Sequence, residues 1–186
     1  MTIEPGHLVT FLSIIVAVSA AWLLQFFGNL VSNRTQYRFS LPFFLCAIVA
    51  GLFHVQYWTG IVLRPQMSVS MQEFTVALAY PCILVIATAA IIPKEPTDQN
   101  IRIDLQQRYE TQAPLYYSLL MAMMCTAIVE THVVFHEPVF GTSNAIRLGG
   151  IALAISLIIV RRNKLISSAL LACGAILILA YMLTIR

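Results

Sequence analysis

The chain has 186 residues, 59% of them apolar and only 10% charged, with a net charge of +3 from 11 Lys and Arg against 8 Asp and Glu. Ordinary soluble domains carry roughly 25% charged residues, so this composition, with a mean hydropathy of +0.83, excludes a water-soluble globule. No nucleic-acid partner is expected; the expected surroundings are a lipid bilayer.

A helix that crosses a bilayer needs about 20 mostly apolar residues, because it satisfies its own backbone in hydrocarbon. Six such stretches occur, so the expected fold is all-α: a polytopic membrane protein with six transmembrane helices in one integral domain, residues 1–186. The first span, about 8–30, has no basic residue before its apolar run and continues past the length of a signal-peptide core. It reads as a retained helix. The second, about 41–63, opens with Pro42 in the first turn, where a missing amide proton is harmless, and carries His54, Gln56, Tyr57 and Trp58. It is the most polar of the six.

After a short turn comes the third span, about 71–92, with Glu73 at its start and Pro81 in its middle. That proline removes one backbone hydrogen bond and predicts a bend near Ala77. Next comes a polar segment, 93–114, which holds seven of the nineteen formal charges. Ile101, Leu105 and Tyr109 recur every four residues in it, the stripe of a short amphipathic helix between the third and fourth spans. That helix is expected to lie at the cytoplasmic headgroups before Pro114 turns the chain inward, with Arg102, Arg108 and Tyr109 as headgroup or partner contacts.

The fourth span, about 115–135, begins with Tyr116 and Tyr117, read as an interfacial aromatic pair, and ends in a polar run containing Glu130, His132, His136 and Glu137. The fifth, about 145–160, has Arg147 near its start, and the sixth, about 165–185, follows the tight turn Arg161 to Lys164. Gly150 with Ala154, and Ser168 with Ala172, place small residues four apart on the last two spans and predict a closely packed hairpin.

Loops after the first, third and fifth spans hold eight Lys and Arg, the opposite side three. The positive-inside rule therefore makes those loops cytoplasmic. Both termini are expected in the periplasm of a bacterial inner-membrane protein. Three spans on each side of a cytoplasmic loop also give two halves of opposite topology, as in inverted-repeat transporters, although no matching residues relate them. The four cysteines fall within four different spans, without a CxxC, and read as small apolar residues.

In this orientation all four histidines lie in the outer half. Ionisable side chains within a span usually face a bundle interior or a water-filled cavity. His54, Gln56, Trp58, Glu73, Glu130 and Arg147 are therefore the candidate polar path or ligand site. The alternative for His54 is an interhelical hydrogen bond, and for Glu130 to Glu137 the solvated end of a span. His132 and His136 share a helical face at a spacing used by some metal sites. A b-type haem needs two histidines at similar depth, and His54 and His132 differ by about 6 Å at the helical rise. No cofactor is expected, with metal or haem b the remaining alternatives. Nothing resembles a nucleotide loop, a nucleophile with its base in register or a HExxH, which weighs against an enzyme.

The run Asp104-Leu-Gln-Gln-Arg-Tyr109, followed by an aromatic pair and a leucine-rich span, together with a basic first loop, resembles a group of small bacterial membrane proteins. The resemblance implies a six-helix inner-membrane protein and brings no activity, substrate or cofactor. Three functions then follow in order: a homo-oligomeric channel or transport protein for a small solute or ion; a non-catalytic accessory or assembly subunit of a larger membrane complex; and a metal- or haem-binding protein using the outer histidines.

Overall fold

A computed structural model describes residues 2–63, 69–93, 102–134, 138 and 141–184. The fold is all-helical, and its six helices are each long and apolar enough to cross a membrane. They are α1 (Pro5–Ser32), α2 (Leu41–Leu63), α3 (Met71–Ile91), α4 (Leu105–Val133), α5 (Thr142–Val160) and α6 (Lys164–Thr184).

Two short strand pairs tie the linkers. β1 (Thr2–Ile3) pairs antiparallel with β3 (Val69–Ser70), and β2 (Tyr37–Arg38) pairs parallel with β4 (Ile103–Asp104). Segments from opposite parts of the chain thus meet at each end of the bundle. The first pair joins the start of the chain to the linker before α3. The second joins the α1–α2 linker to the segment before α4 and lies at the end that carries the basic linkers.

α2 is the central helix. It packs against α1, α3, α4 and α6, and half of its span is buried, against 17% for α5 and for α6. Its inward side carries Phe43, Cys46, Ala47, Ala50, Phe53, His54 and Tyr57, all buried. The outward side chains of the other helices are mostly large and apolar, among them Leu24, Ile159 and Leu165. Such a surface suits hydrocarbon rather than water.

Pro81 does not interrupt α3, which runs unbroken past it. A proline has no N–H, so the carbonyl four residues earlier, that of Ala77, loses its helical donor. The Tyr57 hydroxyl of α2 donates to that carbonyl at 3.3 Å, while the Tyr57 and Tyr80 rings stack at 4.5 Å. The proline becomes a point of attachment between the two helices.

Two expectations change in the last half. α4 begins at Leu105, ten residues before the expected start, and continues through Pro114 to Val133. Asp104 starts it, its side chain accepting from the backbone N–H groups of Gln106 and Gln107 at 2.8 and 3.1 Å. Among the described residues, the stretch read as a separate amphipathic helix is therefore β4 and the first turns of α4; residues 97–101 of that expectation lie outside the described ones. Of the apolar stripe that suggested an interfacial helix, Leu105 and Tyr109 are instead buried, at most 1% exposed, and so is Ala113 one turn further on.

The α5–α6 hairpin is the looser arrangement. α6 packs chiefly on α2, and α5 on α4. A Cβ on Gly150 would stand 2.7 Å from the tip of Met124 on α4, so this glycine serves the α4–α5 approach. On α6 it is Gly174 that closely approaches α5, with a Cβ position 3.0 Å from Leu153. The two halves also pack differently. α1 lies along α3, whereas the equivalent α4 and α6 have at most marginal contact. Their opposite topology does not extend to a repeated packing.

Candidate functional site

The expected polar residues divide among three places. In the middle of the bundle, His54 is 4% exposed and Ser19 of α1 is fully buried. His54 Nδ1 lies 2.7 Å from the Ala50 carbonyl oxygen, and Nε2 lies 2.7 Å from Ser19 Oγ. A carbonyl only accepts, so Nδ1 carries the proton and donates. The neutral ring then has Nε2 as an acceptor for the Ser19 hydroxyl. Ser19 Oγ is also 3.1 Å from the Val16 carbonyl oxygen of its own helix. The pair links α1 to α2, with both ring nitrogens engaged by protein atoms.

Gln56, on the next turn of α2, is half-buried, and its Oε1 is enclosed with no hydrogen-bond partner. Trp58 faces outward, at 50% exposure, so it does not line the interior. Glu73 belongs to the start of α3. Its carboxylate accepts the Ser70 N–H at 2.6 Å while the Ser70 hydroxyl accepts the Glu73 N–H at 3.3 Å, a reciprocal capping box.

The second place joins α4 to α5. Arg147 donates to the Ala127 carbonyl at 2.9 Å, to the Thr131 hydroxyl, and to Asn144 Oδ1 at 2.6 Å. Thr131 and Asn144 are buried, and so is Glu130, at 8% exposure. The arginine therefore turns into the bundle to meet α4. His132 is exposed on the last turn of α4. His136 and Glu137 lie outside the described residues. Among the described residues, no group of three or more His, Cys, Asp or Glu is placed to hold a metal ion.

The third place is the basic end. Arg108 donates from Nη2 to the carbonyls of Ala90 and Ile92 at 2.9 and 3.1 Å, covering the C-terminus of α3. A cation there meets carbonyls that the helix itself leaves without donors. Arg38 and Asp104 pair at 3.2 Å. The backbone N–H of Gln107 first, then that of Gln106 and the Arg38 guanidinium, hold the Asp104 carboxyl below the usual carboxylate range, against an opposing effect of burial smaller only than that of Gln107. The buried Ser40 hydroxyl donates to Gln106 Oε1 at 2.7 Å, and Gln106 Nε2 donates to Glu110 at 2.6 Å. Of the three residues expected to meet headgroups or a partner, Arg102 is exposed, Arg108 is half-buried in the α3–α4 junction, and Tyr109 is fully buried. Tyr109 cannot make that contact because its ring fills the core.

One cluster had no counterpart in the sequence reading. Tyr116 and Tyr117, expected at the interface, are each 1% exposed. The hydroxyls of Tyr109 and Tyr117 are 3.2 Å apart, and that of Tyr117 points to Cys46 Sγ of α2 at 3.9 Å. The Tyr116 hydroxyl is enclosed nearby without a hydrogen bond of normal geometry. An adjacent tyrosine pair at the start of an apolar run is a common interfacial signal; only the ten extra residues of α4 carry this one into the core. Ser19 left no signal at all, since a single serine within an apolar span is unremarkable.

Comparison with protein-family models, with curated proteins and with solved structures finds no match for the chain.

Proposed function

We propose that the protein is an integral membrane protein that moves a small polar solute or ion across a bacterial inner membrane. The observation that carries this reading is the burial of ionisable side chains within the candidate spans: His54 in α2 and Glu130 in α4, the latter next to the Thr131 that Arg147 engages. Burying such groups in hydrocarbon is costly, and they commonly mark solute or ion pathways. The basic linkers would face the cytoplasm and both termini the periplasm. With α1, α3, α4 and α6 packed on α2, and with large side chains such as Phe43, Phe53 and Tyr117 buried in the core, a single chain leaves little room for a pore, which favours a homo-oligomer in a closed ring. Gln25, exposed within α1, supports a further copy against that face, because a carboxamide can both donate to and accept from its own symmetry mate.

The test is flux in proteoliposomes. Glu130→Gln and His54→Gln are expected to reduce flux while the proteins remain folded. Flux unchanged in both variants would remove this reading.

A second reading, an accessory subunit of a larger membrane complex, is favoured by the exposure of Arg102 beside the β2–β4 pair. Arg102→Glu would then weaken copurification of a partner without affecting insertion. Arg108 is unsuited to that test, because its replacement disturbs the α3–α4 junction itself.

A further inference from the structure

We propose that Ser19 and His54 form a proton-binding site, and that the species loaded at the middle of the bundle is a proton. The part this proton plays in transport rests on the reading above; its binding does not.

The pair makes more contacts than the neutral side chains have protons to fill. Three contacts exist: His54 Nδ1 to the Ala50 carbonyl oxygen at 2.7 Å, His54 Nε2 to Ser19 Oγ at 2.7 Å, and Ser19 Oγ to the Val16 carbonyl oxygen at 3.1 Å. Each requires one proton between its atoms. A neutral imidazole and a hydroxyl supply two. Nδ1 must hold one of them, so the Ser19 proton serves either Nε2 or Val16, and one contact is left empty. A third proton, added at Nε2, fills all three. Nε2 then donates to Ser19 Oγ, and the hydroxyl turns its own proton to Val16. No backbone atom has to move. The site gains one positive charge on loading and loses it when the proton leaves from Nε2.

Location and surroundings fit a site that both loads and releases. Ser19 lies 14 residues after the first residue of α1 and 13 before its last, and His54 lies 13 residues into α2 with nine remaining. Both are therefore far from either end. The buried titratable groups on the helices packed against α2 are Tyr80 of α3 and Tyr109, Tyr116, Tyr117 and Glu130 of α4, with Cys46 and Tyr57 on α2 itself. α1 has no titratable side chain between His7 and Arg34, and on α6 Cys173 is exposed and Tyr181 half-buried. The His54 ring bonds to Ser19 and Ala50 rather than to any of these. Among the described residues, no ion pair with a carboxylate locks the bound proton in place.

The experiment is ¹⁵N-histidine solid-state NMR on the full chain in lipid bilayers, with the His54 signals identified by their loss in His54→Gln. Between about pH 5 and pH 8, the range in which histidine ordinarily changes charge, the His54 ring is expected to pass reversibly from one bare nitrogen to two protonated ones. Ser19→Ala, which removes the acceptor for Nε2–H, is expected to abolish the hydrogen-bonded Nε2–H signal while leaving that of Nδ1–H. Both variants are near in size to the original residues, and a retained Nδ1–H signal in Ser19→Ala reports that α2 is intact. A bare Nε2 throughout this range overturns the proposal, as does an unchanged Nε2–H signal in Ser19→Ala. Proteoliposomes carrying a pH-sensitive dye separate the two readings. A His54 that titrates while His54→Gln leaves flux unchanged keeps the proton site and takes it off the transport path.

Discussion

The two ends of the bundle are built from the same kinds of residue and hold the chain in different ways. At the basic end, Arg38 with Asp104 and Ser40 with Gln106 join positions 66 residues apart, and Arg108 covers the end of α3 from α4. At the opposite end, the capping box of Ser70 and Glu73 is local to one helical turn. There the β1–β3 pair joins Thr2 to Ser70, and the described side-chain bonds between helices run from Tyr57 to α3 and from Arg147 to α4. Bringing distant segments together costs more chain entropy than a bond within one turn, although the cost grows only slowly with loop length. At the basic end these side-chain bonds join separate elements, so losing them should cost more than losing the local cap of α3.

The largest test of this difference is Arg108→Ala. It removes a charged donor from the Ala90 and Ile92 carbonyls and leaves the α3 terminus uncovered. A hydrogen bond to a charged group contributes about 1.5–3 kcal/mol, so the unfolding midpoint in detergent should fall by several degrees. An unchanged midpoint would mean that the α3–α4 junction is held by apolar packing alone. Ser40→Ala comes next. It strands the Gln106 carbonyl in a buried position, at a cost of about 1–3 kcal/mol. Adding Gln106→Leu should recover most of that loss, since removing both partners is far cheaper than removing one. Failure of the double variant to recover would show that Gln106 acts mainly through Glu110.

A smaller effect is expected at the other end. Ser70→Ala removes a helix cap, at about 1 kcal/mol, and hydrogen exchange should quicken in the first turn of α3 without spreading to β2 and β4. Spreading would contradict the separation of the two ends. The smallest effect belongs to Asp104→Asn, which keeps a good capping residue and loses only the exposed ion pair, a change of at most about 1 kcal/mol. Its pH dependence has a definite sign. The folded state holds this carboxyl below its ordinary value of 3.8. The stabilisation is therefore complete above that value and is lost as pH falls through the lower folded one. Wild type and Asp104→Asn should converge in stability only in acid below the usual carboxylate range, and convergence near neutrality would show that the ion pair contributes nothing.

The sequence made some features plain because they depend on local chemistry. Helix positions agree with the apolar stretches to within a few residues for α2 and α3, and Pro42 stands where a first-turn proline does no harm. The extent of α4 was not readable. Pro114 and the charges from Arg102 to Glu110 look like a boundary, yet Leu105, Tyr109 and Ala113 pack on the core and carry the helix outward past them. Local propensity set the expectation, and tertiary packing overrode it. The same ten residues explain why Tyr109, Tyr116 and Tyr117 sit inside rather than at an interface.

Of the candidate path, His54 and Glu130 were legible because ionisable groups stand out within apolar spans. Their partners were not. Ser19 lies 35 positions from His54, and Arg147 reaches Thr131 across the turn between two helices. By itself the sequence determined the number of helices, their apolar surfaces and which linkers are basic, since each of these follows from the cost of exposing peptide groups or charges to hydrocarbon. Only the tertiary structure decided that α2 is central, that the Pro81-freed carbonyl is taken up by Tyr57, and that a serine completes the hydrogen bonds of His54. Those depend on which helix faces which, and apolar stretches of similar composition do not encode that choice in any short pattern.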